Sequence, residues 1–425
     1  MPYLYYVQVF LYNIFLVLYA LGIRVTSLFN EKARKWLRGR KDIFRQLADA
    51  MQGKDEQRIW VHCASLGEFE QGRPVIEAIK TQYPSYKIVL TFFSPSGYEI
   101  RKDYDGADYV FYLPMDGAGN AKRFIELVNP SLAIFVKYEF WYHYLNQLKK
   151  QDVPTMLISA AFRSSQPFFK GYGGLFRKIL KSFACIFVQD ENSKQLLADI
   201  GITTNVAISG DTRYDRVVQI AENARHYDLI ERFKGDSKLL IAGSTWPEDE
   251  MVLREALHIL PDDWKMIIAP HEIDDKHIQQ LDEMFQDTNT IYSQLPTTHT
   301  GHRVLIIDNI GMLSSLYRYG DIAFVGGGFQ KGGIHNVLEP AVFGLPVFFG
   351  PQYDKFVEAK ALVSRLYAFP ISKKEHFNSL LRKLMEDDKR RLSMHKTIQA
   401  YIAGQAGATA KIMSVLGDKF LQLRG

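Results

Sequence analysis

The chain has 425 residues, 47% of them apolar and 23% charged. That balance excludes wholesale disorder and suits two α/β domains better than one. A net charge of +5 is too small to argue for nucleic acid. The two cysteines, Cys63 and Cys185, make no disulfide framework and match no zinc spacing, which fits a reducing compartment.

From Met1 to Ile23 there is no charged side chain, and Tyr3–Gly22 is mostly Leu, Tyr, Phe, Val and Ile. A helix of that length covers about 34 Å, enough to cross a hydrocarbon core. Arg24, Lys32, Arg34, Lys35, Arg38, Arg40, Lys41 and Arg45 follow it. Basic residues after the segment and none before it predict a membrane-associated chain with a cytoplasmic body, and the basic stretch suits an anionic leaflet. A cleaved signal peptide would need a charged start and a small-residue cleavage site, both missing. Gln8, Asn13 and the tyrosines keep a helix embedded in one leaflet open beside a spanning one.

Beyond Arg58, short apolar runs alternate with helical patterns. Strands are expected at Ile59–Cys63, Ile88–Phe92, Tyr109–Tyr112, Leu132–Val136, Thr155–Ile158, Cys185–Val188 and Val206–Ile208. Amphipathic segments such as Gly72–Thr81 and Ala121–Leu127 lie between them, the mark of a parallel sheet covered on both faces. A polar helical stretch, Val217–Lys234, leads to a second series: Leu239–Ala242, Lys265–Ala269, Val304–Ile307, Ile322–Val325 and Pro346–Phe349. Gly407–Leu423 reads as an amphipathic helix with apolar positions Ile412, Met413, Val415, Leu416, Phe420 and Leu421. The expected fold is α/β, with two Rossmann-like doubly wound domains facing across a cleft. The segments are 1–30 (anchor), 31–213 (first Rossmann-like domain), 214–404 (second Rossmann-like domain) and 405–425, a helix returning to the first domain.

Candidate chemistry sits at the carboxyl ends of these strands. Ala64-Ser65-Leu66-Gly67-Glu68 follows the first one, placing Glu68 at a strand-to-helix turn beside a glycine that permits close approach. Glu68 is either a general base for a hydroxyl or a carboxylate that complements a helix dipole. Ser94, Ser96 and Gly97 form either an anion-contacting turn or an ordinary polar loop. Lys137 and Glu139 are either site charges or a structural ion pair. In the second half, Gly326–Pro340 is glycine-dense and continues as His335-Asn336-Val337-Leu338-Glu339. A helix beginning near His335 would turn free N–H groups toward a phosphate on Gly332 and Gly333. Glu339, one turn into it, would accept from ribose hydroxyls. The spacing is not the dinucleotide fingerprint. Gly243-Ser244-Thr245 and Pro270-His271-Glu272 end two further strands; His271 either touches a base or phosphate or is a plain loop histidine.

Together these residues resemble the 3-deoxy-D-manno-octulosonic acid (Kdo) transferases, membrane-anchored GT-B glycosyltransferases of lipid A assembly. The resemblance rests on the anchor, His62-x-x-Ser65-x-Gly67-Glu68, Glu139-x-Trp141, Gly243-Ser244-Thr245, Asp308-x-x-Gly311-x-Leu313, Gly327–Pro340, Gly350-Pro351 and Phe356. It implies that Glu68 is the catalytic base and that CMP-Kdo is the donor. The donor would be held by Ser244, Thr245, Pro270, Gly311, Met312, His335, Asn336 and Glu339. It implies a tetraacylated lipid A precursor as acceptor and a place on the cytoplasmic face of a bacterial inner membrane. The chain departs from the family pattern at Lys137, where an acidic residue is usual, at His271, where arginine is usual, and at Ile334, which interrupts G-G-H-N. Arg213 keeps the positive charge of the inter-domain turn and would face the leaving phosphate. With one phosphate leaving, neither metal nor cofactor is expected. The rival readings are a GT-B enzyme using a UDP-sugar, an anchored two-lobed binding protein, and a nucleotide-linked oxidoreductase, which would need an early G-x-G-x-x-G.

Overall fold

The computed structural model describes residues 2–295, 301–372 and 374–421; Met1 and residues 422 and 423 of the expected terminal helices lie outside them. The chain forms two compact units, Met1–Arg216 with Ala406–Gly425, and Val217–Gln405.

The first unit carries β1 (Arg58–Cys63), β2 (Lys87–Phe92), β3 (Tyr109–Tyr112), β4 (Pro130–Val136), β5 (Thr155–Ala160), β6 (Cys185–Val188) and β7 (Val206–Ile208). All seven coincide with the apolar runs of the sequence. They pair in parallel in the order β3-β2-β1-β4-β5-β6-β7. Every residue of β1 and β5 is buried, as a sheet covered on both faces requires. On one face Trp60 packs its ring against Phe124, Phe135 and Tyr144 at 4.8, 5.1 and 5.5 Å. On the other, Ile59, Val61 and Cys63 share a core with Ile412, Met413 and Leu416 of the helix Ala408–Lys419. Asp215 secures the start of that helix, accepting from the N–H groups of Gly407 and Thr409 at 2.5 and 2.8 Å. Chain order reverses between β1 and β4, so the turns after these two strands border the first unit's switch point, where open α/β sheets bind ligands.

The second unit carries β8 (Lys238–Thr245), β9 (Trp264–Pro270), β10 (Asn289–Ile291), β11 (Val304–Ile306), β12 (Ile322–Val325), β13 (Val347–Phe349) and β14 (Ala368–Pro370). Their order is β10-β11-β9-β8-β12-β13-β14, again parallel. The edge strands β10 and β14, three residues each, are too short to stand out by periodicity. The switch point here lies between β8 and β12. The expected helical stretch Val217–Lys234 divides into Thr212–Glu222 and Asp228–Lys234. At the break, Ser315 Oγ accepts from Arg225 N–H at 3.1 Å and Tyr319 OH from Tyr227 N–H at 2.7 Å, so side chains replace the helical carbonyls.

The N-terminal helix runs from Pro2 to Thr26, and its Tyr5–Thr26 portion is long and apolar enough to cross a membrane. One side of it is bonded to its own unit. Tyr5 OH meets Tyr142 OH at 2.6 Å, Tyr12 OH donates to Asp116 at 2.7 Å, and Asn13 Oδ1 lies 2.7 Å from His143 Nε2. Farther along, Tyr19 stacks on Phe93. Its other side exposes Tyr6, Phe10, Leu11, Phe15, Val17 and Leu18.

Candidate active site

At the first unit's switch point, β1 ends at Cys63, Ser65 takes the N-cap position, and the helix Leu66–Gln82 places Glu68 in its first turn. The carboxylate bends back to accept from Ala64 N–H at 2.6 Å. That contact alone would suit a helix-start carboxylate, but the surroundings do more. Burial, and after it the negative charge of Glu139, push the Glu68 carboxyl from an ordinary 4.5 up to about 8, against the Ala64 N–H and Lys137. A Cβ at Gly67 would meet nothing within 4 Å, so packing within the unit does not require glycine there.

Glu139 comes from the turn after β4. Its Oε2 accepts from Trp141 Nε1 at 2.6 Å and lies 3.1 Å from Nε2 of fully buried His62 on β1. His62 Nδ1 is 2.8 Å from Thr91 Oγ1, which also accepts from Trp60 Nε1 at 2.8 Å. A row of buried groups on β1 and β2 thus fixes one carboxylate beside the other. Lys137 takes a left-handed backbone, φ 66°, and donates its N–H to Ile158 at 2.9 Å. Its charge acts on Glu68, so it belongs to this cluster. The Tyr138 hydroxyl, raised chiefly by burial, feels Arg163, Glu68, Asp190 and Arg213. Arg213 is therefore on the same edge, although its guanidinium grips Asp211 at 2.7 and 3.0 Å. Ser94, Ser96 and Gly97 have local duties. Ser94 Oγ caps the helix Pro95–Arg101 through Ser96 N–H at 3.3 Å, and a Cβ at Gly97 would strike the Phe92 ring at 2.2 Å.

The second unit's switch point joins the end of β8 to the glycine loop after β12. The helix expected at His335 begins only at Leu338 and has five residues, so the loop presents turns, and Glu339 lies in the first turn rather than beyond it. Most of the glycines answer to close backbone approach. A Cβ at Gly326 would lie 2.2 Å from Ser244 O, and one at Gly328 would lie 2.4 Å from Gly350 N. Gly327 and Gly333 have φ of 86° and 87°. Gly332 alone of the loop faces open space.

Asp249, not among the expected site residues, pins this loop by accepting from Gly327 N–H at 2.8 Å and Trp246 N–H at 2.9 Å. Trp246 Nε1 donates to His335 Nε2 at 3.1 Å. His271 stacks on both, its ring 4.9 Å from Trp246 and 4.4 Å from His335. Burial, then His271, lowers His335 to about 4, so it is neutral and its Nε2 accepts. Thr245 spends its hydroxyl on Glu250 at 2.9 Å, and Glu250 is held by His277 at 3.0 Å. Asn336 Nδ2 donates to Glu339 at 3.1 Å. Pro270 is buried at the end of β9, Gly311 turns with φ 93° in open space, and Met312 is buried. Asp249 did have a local signal, a Pro247 start with an acid two residues later; its bond to Gly327 spans 78 residues and had none. Among the described residues no group of three or more His, Cys, Asp or Glu is placed to hold a metal.

A family model described as 3-deoxy-D-manno-octulosonic-acid transferase (kdotransferase) matches residues 38–216, the part that holds Glu68 and Glu139. A 3-deoxy-D-manno-octulosonic acid transferase of Haemophilus influenzae is 30% identical over 313 residues, covering 71% of this chain and 72% of that protein. The chain belongs to this family. A Kdo transferase of Rickettsia bellii is 28% identical over 375 residues, 83% of this chain and 86% of the relative. One of Aquifex aeolicus is 28% identical over 313 residues, 72% and 80%. Among solved structures, UDP-GlcNAc 2-epimerase from Neisseria meningitidis superposes with a TM-score of 0.59 at 15% identity, covering 85% of this chain and 99% of that one. MurG of Acinetobacter baumannii gives 0.53 at 13%, covering 85% and 98%. These two share the fold of this Kdo transferase family member, a glycosyltransferase of GT-B type.

Proposed function

We propose that the chain is an inverting glycosyltransferase moving Kdo from CMP-Kdo to a hydroxyl of a tetraacylated lipid A precursor, with Glu68 as the base. The observation that carries this reading is the half-buried Glu68–Glu139 pair at the first switch point. One carboxyl is held by a single backbone N–H and made unusually basic; the other is locked by Trp141 and His62. A sugar hydroxyl is a poor nucleophile, and its proton must leave as the new bond forms. Ionised Glu68 takes that proton, the oxygen attacks the anomeric carbon, and the bond to the CMP phosphate breaks with its electron pair leaving on CMP. Attack opposite the leaving group inverts the centre.

Donor contacts are assigned to the ends of β8, β9, β11 and β12: Ser244, the Thr245 backbone, Pro270, His271, Gly311, Met312, Gly332, Gly333, His335, Asn336 and Glu339. Neutral His335 serves there as a hydrogen-bonding ring rather than a cation. A single leaving phosphate puts less charge on the leaving group than a diphosphate, and the reaction is assigned no metal. The N-terminal helix supports membrane association, at the cytoplasmic face of an inner membrane. Its hydrogen bonds and ring contacts run from Tyr5 to Tyr19, about 21 Å of helix, and a spanning helix would have to break them. We therefore assign it to one leaflet, apolar side outward.

The test is Kdo transfer from CMP-Kdo to the lipid A precursor in detergent with EDTA present, comparing wild type, Glu68→Ala and Glu68→Gln. Transfer by wild type and a loss of several orders of magnitude in both folded variants is the expected result. Turnover only with another nucleotide sugar would replace the donor, and transfer surviving both substitutions would shift the base to Glu139.

A further inference from the structure

A cavity of about 510 Å³ lies beside the last turns of the N-terminal helix, remote in sequence from Glu68 and from the glycine loop. Its volume falls within the usual range of small-molecule sites, about 300–1,000 Å³. Arg24, Arg40, Arg45 and Arg123 line it, against one acid, Asp42. Asp42 lies 3.6 Å from Arg45. Among the described residues no carboxylate lies within ion-pair distance of Arg24, Arg40 or Arg123. Arg40 supplies field rather than a free fork: it donates to the carbonyls of Leu113, Trp36 and Phe93 at 2.9, 3.1 and 2.7 Å and stacks 3.7 Å over Trp36. Arg24 and Arg123 are exposed at the rim. Apart from Asn120, whose amide donates to Met115 O at 2.9 Å, the rest of the lining, including Trp36, Ile43, Phe44 and Met115, is apolar.

This lining is amphipathic in one particular way. Guanidinium groups in excess over carboxylates select an oxyanion with several acceptor oxygens, and phosphate matches the guanidinium fork. The apolar wall suits a ligand that continues into hydrocarbon. Leu21, Val25, Leu28 and Phe29, exposed along the chain to either side of Arg24, would sit in the same bilayer surface. Trp36, Phe93 and Trp141 stand in a row with ring centres 5.6 and 4.6 Å apart, so the cavity wall is also the back of the Glu139 site.

We propose that this cavity binds the phosphate of a membrane lipid, seating the chain at a fixed depth beside its acceptor. The inference deepens the transferase reading in its membrane aspect. The phosphate belongs either to the acceptor itself or to a bilayer phospholipid.

The test compares full-length wild type with Arg24→Gln/Arg123→Gln and with Lys32→Gln/Arg34→Gln. The second pair removes the same charge from the exposed neighbouring helix Glu31–Arg38 but does not line the cavity. Melting curves check folding. One arm measures flotation with phosphatidylcholine vesicles with and without phosphatidic acid, which reads no catalysis and stands even if the transferase reading fails. The other measures KM for the lipid A precursor with and without its phosphates. A loss of about tenfold in phosphatidic-acid-dependent binding, with KM unchanged, supports the cavity and names a bilayer lipid. A rise of about tenfold in KM confined to the phosphorylated acceptor supports it and names the acceptor. Equal effects in the control pair, or none in the cavity pair, overturn it.

Discussion

Replacing Glu139 with glutamine should move the acid limb of the transfer rate to lower pH. The Glu68 carboxyl is held at about 8 by burial first and by the charge of Glu139 second. A base must be ionised to accept a proton, so kcat/KM of the wild type should climb with pH and level off above about 8. The substitution removes the like charge while leaving burial in place, and it keeps a carbonyl oxygen for the Trp141 donor, now 2.6 Å from the carboxylate. Removing one like charge from a partly desolvated site should lower the limb by about one pH unit, or about 1.4 kcal/mol. At pH 6 about ten times more of the base is then ionised, while each ionised base is weaker, so the plateau falls modestly. The assay is kcat/KM against pH for both proteins on the same donor and acceptor, so that substrate ionisations cancel. An unmoved limb in an active Glu139→Gln protein, or one moved upward, would refute the electrostatic coupling on which the assignment of Glu68 rests.

Four further outcomes are expected. Because the folded carboxyl of Glu68 sits above its unfolded 4.5, it binds a proton on folding between pH 4.5 and about 8. Stability should therefore fall as pH rises through that window, by up to about 5 kcal/mol at 1.36 kcal/mol per pH unit. Glu68→Gln should accordingly melt higher than wild type above pH 8, and an equal or lower melting temperature there would contradict the burial. Gly328→Ala, whose Cβ would lie 2.4 Å from Gly350 N, should destabilise the second unit by about 1–3 kcal/mol in denaturant melts. Gly67→Ala, facing open space, should leave stability within about 0.5 kcal/mol and lower kcat/KM. Asp249→Ala strands the N–H groups of Gly327 and Trp246; it should cost about 2–3 kcal/mol and raise KM for the donor more than for the acceptor.

Much of the fold could be read because parallel strands buried on both faces leave continuous apolar runs, and each such run of the first unit became a strand. The two strands that escaped notice are three-residue edges, β10 and β14, where pairing with one neighbour suffices and little apolar sequence is required. The site was legible where a motif is local: Glu68 lies five residues beyond the end of β1, and Glu139 three beyond β4. What could not be read is what makes these groups special. His62 looks like any residue of a buried strand, and only the pairing of β1 with β2 and β4 brings Thr91 and Glu139 to its two ring nitrogens. The glycine loop was legible only by composition. The helix expected from His335 begins at Leu338, and Gly326 and Gly328 let three backbone turns touch.

Of the eight non-glycine residues with positive φ among the described residues, three stand at strand ends beside the candidate sites. Lys137, Ser159 and Ser244 all hold left-handed conformations, with φ of 66°, 54° and 54°. Each such residue costs about 1–2 kcal/mol where glycine would not. All three lie at the carboxyl ends of strands: β4, β5 and β8. Two coincide with irregular register, between Leu157 and Ala160 and between Gly243 and Thr245. A chain free to relieve this strain with glycine retains side chains instead. Ser159 Oγ meets Thr212 Oγ1 at 3.0 Å, and Thr212 donates to Gln71 O on the Glu68 helix. Lys137 brings its positive charge to bear on Glu68. Had the strands run on regularly, side-chain alternation would have turned these groups elsewhere. The strain is the cost of aiming them at the strand ends, and it falls at the two sheet edges where the carboxylate pair and the glycine loop are found.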